Sequence, residues 1–185
     1  MIATFRWLDA KSELVFEGDT GTTDACGLTR RYGIEIGARG QVYGPLYFDD
    51  SFSWTRAEFR STGLAIPLVP ELTAYSALLL RWPEGLSSQI HMTNLGVRNL
   101  TEDRTIKAPS WFVFDLTERY LLTVKLVYGH REAIFYIQNL CDTQWEQATF
   151  AFTSRLPGEA SGGVRDVHFV PGNPRFVTGG LAWYF

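Results

Sequence analysis

Carboxylates, histidines, cysteines and serines are the groups in this 185-residue chain that could do chemistry, and their spacing sets none of them to work together. Asp115 and Glu118 come nearest to an acid–base pair, yet residues three apart in an extended strand point to opposite faces. Ser154 opens Ser-Arg-Leu-Pro-Gly158 with no His and Asp that the sequence sets beside it. Ser161-Gly-Gly163 lacks both the glycine spacing and the following Lys of a phosphate cradle, and reads as a loop tip. Cys26 and Cys141 fit no metal-ligand spacing, and His91, His130 and His168 are equally dispersed. No catalytic residue, metal ligand or cofactor is expected. The net charge is -3 and the 17 basic residues are scattered without a stripe, so no nucleic-acid partner is implied.

The charged side chains that remain stand in strands. Arg31 and Glu35 alternate with Tyr32, Ile34 and Ile36; Asp115, Thr117 and Arg119 alternate with Phe112, Phe114, Leu116 and Tyr120. Further strands are expected over Ile2–Phe16 (one long strand or a tight pair), Gln41–Arg60, Leu72–Trp82, Ser87–Gly96, Ala133–Leu140 and Arg175–Phe185. In Gln41–Arg60, Leu46, Phe48, Phe52 and Trp54 share a parity that Asp50 breaks, which suggests a bulge or a pairing across the sheet. Short reversals are expected at Gly37–Gly40, Pro83–Gly85 and Tyr128–His130. Long polar connections are expected at Gly18–Gly27, Thr62–Pro70, Leu100–Pro109 and Cys141–Pro174. The fold class is therefore all-β, an antiparallel up-and-down meander of about eight strands in a single unit, with no helix.

One face apolar and the other charged suits two settings. In a sandwich the apolar face is a dry core; in a membrane barrel it meets lipid and the charged face lines a wet lumen. Two features favour the barrel. Connections alternate short and long, and strands of about ten residues suit a tilted crossing better than the usual five or six of a sandwich. The final strand adds a third. Phe185, Trp183, Leu181, Gly179 and Val177 share one face, and the chain stops on an aromatic residue, as a strand ending in an aromatic girdle does. No apolar run nears the roughly eighteen residues of a spanning helix; Ala77-Leu-Leu-Leu80 meets Arg81. Met1–Ala10 shows neither a basic n-region nor a sustained apolar h-region, which counts against export if Met1 is a true start and for a fragment if it is not.

Several stretches resemble the C-terminal part of the β-barrel of TonB-dependent outer-membrane receptors. Ile137-Gln-Asn-Leu-Cys-Asp142, followed by Trp145 and Glu146, is similar to that family's v-x-N-L-f-D element, with Cys141 where a bulky apolar residue is usual. Pro171-Gly-Asn-Pro-Arg175 through Phe185 is similar to its closing pattern. Phe59-Arg60 with Ile66-Pro-Leu68 and Pro70-Glu-Leu-Thr73 resembles the lead-in to another hairpin, and Arg30-Arg-Tyr-Gly-Ile-Glu35 resembles its R-x-G-x-E strand. The likeness runs over essentially the whole chain. It implies a Gram-negative outer-membrane location, contact with outer-membrane lipid, and a parent that imports a scarce nutrient such as a siderophore–iron complex or cobalamin. It also implies partners that this chain does not carry: an N-terminal plug, the earlier strands of a barrel of about twenty-two, and TonB acting through that plug. The chain then corresponds to roughly the last third of a barrel, its short turns periplasmic and its long connections outside. A small self-contained barrel and a soluble all-β binding domain are the competing readings.

In the barrel reading Tyr32, Ile34, Ile36, Phe112, Phe114, Leu116, Leu181, Trp183 and Phe185 face the membrane. Arg31, Glu35, Asp115 and Arg119 face the lumen, as ligand groups or as a solvated charge ladder. Trp145, Arg155 and His168, in the longest connection, could contact a ligand outside or pack that connection on the rim. Cys26 and Cys141 both fall at the outer end, where a disulfide between them would need a folded-over loop.

Overall fold

The computed structural model describes residues 1–17, 22–122 and 130–184. Its strands in chain order are β1 (Ile2–Ala10), β2 (Glu13–Glu17), β3 (Thr22–Cys26), β4 (Thr29–Tyr43), β5 (Leu46–Phe59), β6 (Leu72–Arg81) and β7 (Leu86–Leu95). They continue with β8 (Arg98–Asn99), β9 (Lys107–Ala108), β10 (Trp111–Leu122), β11 (His130–Gln138), β12 (Glu146–Ser154), β13 (Val164–Pro171) and β14 (Phe176–Tyr184). Among the described residues the only helical turn is a 3-10 turn at Pro83–Gly85. Eight strands form one antiparallel sheet in the order β1-β4-β5-β6-β7-β10-β11-β14, as an up-and-down meander requires. The other six strands form three two-stranded hairpins, β2-β3, β8-β9 and β12-β13.

The alternation of short and long connections puts all the hairpins at one end of the sheet. Gly44 and Pro45 alone join β4 to β5, and Gly44 takes the left-handed φ of 50° that glycine adopts without strain. Trp82 to Gly85 joins β6 to β7. At the opposite end β2-β3 joins β1 to β4, residues 60–71 join β5 to β6, a stretch holding β8-β9 joins β7 to β10, and one holding β12-β13 joins β11 to β14. We call these the turn end and the loop end.

Two alternatives are decided and two expectations change. Of an open sheet and a small closed barrel, the sheet is open: among the described residues β1 and β14 each pair on one side only, so the eight strands do not close on themselves. Gly37–Gly40 is no reversal, because β4 runs through it with Gly37 opposite Ser51 and Gly40 opposite Phe48. Gly40 instead leaves room for Phe48, whose ring would stand 3.2 Å from a Cβ there. Asp50 is no bulge: it stands in regular register between Ala38 and Ser76 and accepts a hydrogen bond from the Ser76 hydroxyl, a cross-strand pairing. The span 141–174 is not a plain loop, since it carries β12 and β13 in register. Phe185 and the reversal at Tyr128–Gly129 lie outside the described residues.

A single sheet has no second layer to pack on, and burial follows from that. Of the buried apolar side chains, all but Ala77 and Val113 lie at the loop end. Val15 of β2 packs with Ala57, Phe59 and Ile66; Leu100, Ala108 and Ala151 pack with Leu68 and Ile106. Backbone hydrogen bonds stitch the same connections: Ala65 N–H to Glu102 O at 2.9 Å and Leu68 N–H to Asn99 O at 2.8 Å. The connections therefore form one packed cap.

Leu100→Ala is expected to lower the urea midpoint of the detergent-folded chain, costing about 2–4 kcal/mol by cavity formation. Leu78→Ala, on a side chain 47% exposed from the protein, is expected to cost less, since it leaves no cavity that the surroundings cannot fill.

Candidate functional site: a two-faced sheet and its loop-end cap

Cross-strand partners in a sheet share a face, so the register sorts every side chain. One face carries Phe5 and Trp7 of β1, Tyr32, Ile34 and Ile36 of β4, Phe48, Phe52 and Trp54 of β5, and Leu78 of β6. It continues through Ile90 of β7, Phe112, Phe114 and Leu116 of β10, Phe135 and Ile137 of β11, and Leu181 and Trp183 of β14. The opposite face carries Arg6, Arg31, Glu35, Asp49, His91, Asp115, Arg119 and Glu132. The apolar face is open: Phe112 and Trp183 are each 50% exposed and Leu181 is 82% exposed. A soluble sandwich would hide these residues between layers, and the sheet has no second layer among the described residues.

Aromatic rings bound the apolar face at both ends. Toward the loop end Trp7 stacks on Tyr32 at 5.5 Å and Tyr32 meets the edge of Trp54 at 6.0 Å, with the Arg30 guanidinium 4.8 Å over Trp7. Toward the turn end stand Trp82, Tyr120 and Trp183, with the Arg131 guanidinium 3.6 Å over Trp183. Trp82 Nε1 donates to Ser88 Oγ at 2.9 Å, and that hydroxyl donates to Glu118 at 2.7 Å, so the carboxylate on this margin has a partner.

The charged residues singled out from the sequence do not converge. Arg31 pairs with Glu13 of β2, whose other oxygen accepts from Thr29 Oγ1 at 2.8 Å. Glu35 pairs with Arg6 at 2.8 Å. Asp115 accepts from the Asn139 amide at 2.8 Å, and Arg119 stands 4.0 Å from Glu132. β4 and β10 are four strand spacings apart, about 19 Å at roughly 4.8 Å each, so the two pairs are separate cross-strand contacts. Trp145 seats its indole against Trp111, ring centroids 4.5 Å apart, and donates to Asn173 O at 3.2 Å. Arg155 is exposed just beyond β12, and His168 stacks on Phe152 at 3.9 Å with its Nε2 buried and unpartnered. These three are spread along the β12-β13 hairpin and form no common site. Cys141 is exposed and its thiol is free.

The cap contains polar groups that the sequence reading passed over. Arg98, 5% exposed, donates from Nη2 to Thr149 Oγ1 at 3.0 Å, and Thr149 donates to Glu146 at 2.9 Å. Burial lowers the Arg98 pKa and the Glu146 charge opposes that shift. Asp103 accepts from the Thr101 hydroxyl at 2.6 Å, the Thr105 hydroxyl at 2.7 Å and the Thr105 amide at 3.1 Å, with Arg165 of β13 at 3.8 Å. These contacts hold its carboxyl down at about 2.

No protein-family model matches the chain, and no curated protein matches it in sequence; solved structures do match it in fold. The ferric citrate transporter FecA in its unliganded form superposes with a TM-score of 0.73 at 14% identity, over 98% of this chain and 28% of its own. The siderophore receptor PiuA from Acinetobacter baumannii gives 0.68 at 14% identity, over 98% and 26%. The ferric-catecholate import receptor Fiu from E. coli K12, closed form, gives 0.66 at 18% identity, over 98% and 25%. The fold is that of a TonB-dependent receptor barrel. The chain spans about a quarter of the length of these structures.

Within that fold two of the stretches that resemble the receptor family meet as a clamp. Asn139, fully buried with φ 50°, donates from Nδ2 to Thr143 O at 2.8 Å and Asn173 O at 3.1 Å and accepts the Thr143 amide at 2.8 Å. Asp142 accepts the Arg175 amide at 3.1 Å. Gly172 lies flat under Trp145: a Cβ there would stand 2.0 Å from the indole. Asn139-Leu-Cys-Asp142 and Pro171-Gly-Asn-Pro-Arg175 are thus the two jaws that rejoin β11 to β14 after a long excursion. Gly33 of the Arg-Tyr-Gly-Ile-Glu strand has a similar reason, since a Cβ there would stand 2.3 Å from Trp54 O.

Asn139→Ala orphans two carbonyls and an amide, and is expected to cost about 3 kcal/mol, read as a lower urea midpoint and faster proteolysis within 139–175. The Asp103 contribution has the sign of a lowered carboxyl. It is complete above the ordinary 3.8 and is lost as pH falls toward 2, whereas Asp103→Asn is expected to abolish that acid step in hairpin protease resistance.

Proposed function

We propose that this chain is a segment of the barrel of an outer-membrane receptor for a scarce nutrient, lying in the outer membrane of a Gram-negative cell. In this reading Tyr32, Ile34, Ile36, Phe112, Phe114, Leu116, Leu181 and Trp183 meet lipid. Arg31, Glu35, Asp115 and Arg119 line the wet side as cross-strand ion pairs and hydrogen bonds, and the loop end faces outside. The observation that carries it is the sheet face of large apolar side chains, interrupted in its middle by the hydrogen-bonded Ser76–Asp50 pair, with no second layer packed on it among the described residues and aromatic rings at both margins. Phe112 and Tyr120 are eight residues apart on β10, about 26 Å along the strand at roughly 3.3 Å per residue. At a tilt of roughly 40° that is about 20 Å across the membrane, a little under the roughly 25 Å apolar band of outer-membrane barrels.

The role is capture and passage, with no chemistry done on the nutrient. In this reading import against a gradient needs a plug in the lumen, supplied by the rest of the receptor, and TonB, a separate partner, acting on that plug. The nutrient belongs to the class that the solved relatives handle, a chelated or free metal or a similarly scarce compound.

Substituting one arginine on each face at the same level tests the assignment. Ile36→Arg places a charge where lipid is expected and should cost about 2–4 kcal/mol of folding stability in lipid vesicles. Ser51→Arg, on the opposite face of the neighbouring strand, should cost less than about 1 kcal/mol, as a solvated surface change does. Equal costs, or a chain that stays folded in plain buffer as a monomer, would overturn the membrane reading.

A further inference from the structure

A cleft of about 740 Å³ at the loop end lies between the start of β10, the residues after the Asn139 clamp and the end of β13. Its size falls in the range of small-molecule sites, roughly 300–1,000 Å³. Trp111, Trp145, Phe169 and Pro171 supply flat apolar walls, and Asp142 and Glu146 supply the ionisable groups. No lysine, arginine or histidine lines it. Each carboxylate is linked to a cation that does not line the cleft: Arg175 reaches Asp142 at 4.0 Å, and buried Arg98 reaches Glu146 through Thr149. Neither arginine lines the cleft, so an incoming molecule meets carboxylate oxygens and ring faces first.

We propose that this cleft binds a neutral or positively charged compound carrying a flat ring, and discriminates against anions. The ring lies on the indole and proline walls, and a positive charge on or near it is attracted both by the ring quadrupoles and by Glu146. A polyanionic chelate would bring like charge to within a few ångströms of two carboxylates on the cleft wall, where they repel. The proposal deepens the receptor reading, on which its outward-facing position rests, by naming the charge class admitted at the loop end. The Trp145 seat and the Asn139 clamp keep the walls in place without a ligand, so the site is preformed.

Three ring probes that differ in charge test it: benzyltrimethylammonium, benzyl alcohol and benzenesulfonate, titrated by calorimetry into the full chain folded in neutral detergent micelles. The ammonium is expected to bind at least tenfold more tightly than the sulfonate, with the alcohol between. Glu146→Gln, which keeps an acceptor for Thr149, should shrink that ratio to threefold or less. Trp111→Ala should weaken the ammonium and the alcohol about tenfold, with Trp111→Phe restoring most of it. Heat-modifiable gel mobility confirms that each variant is folded. Binding of the sulfonate as tight as the ammonium, a charge ratio unchanged in Glu146→Gln, or no binding of any probe at millimolar concentration overturns the proposal. The receptor reading fails separately: a chain that keeps this charge order in micelles but does not insert into lipid vesicles loses its membrane role and keeps its cleft.

Discussion

Every strand of this sheet depends on its neighbours for backbone hydrogen bonds, and one face of the sheet has only its surroundings for company. Those two facts constrain the rest. An antiparallel ladder satisfies backbone groups between strands at no cost to the side chains, so the apolar face can be presented outward over its whole width. Soluble monomers seldom present so wide an apolar face to water, and Phe112, Leu181 and Trp183 are among its exposed members. The outer edges of β1 and β14 add a second demand. In the membrane setting proposed above, a row of unpaired N–H and C=O groups would be costly, and these edges would need a partner beside them.

A sheet without a second layer also explains where the core went. Side chains on the polar face pair across strands, as Arg6 with Glu35 and Arg119 with Glu132 do, and such exposed pairs contribute little each. Tight apolar packing is therefore left to the connections, where Phe59, Ile66, Leu100 and Ala151 are buried. Buried polar links cross the same cap, Arg98 to Thr149 above all, where Nη2 of the guanidinium is paired and its buried Nη1 is not. The cap is rigid enough to shape a cleft because three connections share it.

The two-faced character was legible in the residues. Alternation in Tyr32–Ile36 and Phe112–Arg119 assigned faces that the register reproduces without exception, because a period of two leaves no freedom once the strands pair. Connection lengths were legible at Pro83–Gly85 and over 60–71, where turn formers cluster. Gly37–Gly40 misled because glycine serves two purposes: there it admits Phe48 rather than turning the chain, and the reversal sits at Gly44-Pro45, where φ is positive. The β12-β13 hairpin was missed although Thr149, Ala151 and Thr153 alternate with Phe150 and Phe152. Its alternation was masked by the glycines and prolines that flank it.

Local sequence determined which residues extend, which face each takes and where the chain reverses, since those follow from side-chain period and backbone sterics. It also contained both jaws of the clamp, but as two motifs about thirty residues apart with no sign that they touch. Only the folded sheet decided that Asn139 reaches Asn173, that Arg31 answers Glu13 rather than Glu35, and that Arg98 is buried beneath β12. These are contacts between connections, and no period in the chain encodes them; they arise because neighbouring hairpins at one end of a sheet share too little space to stay apart.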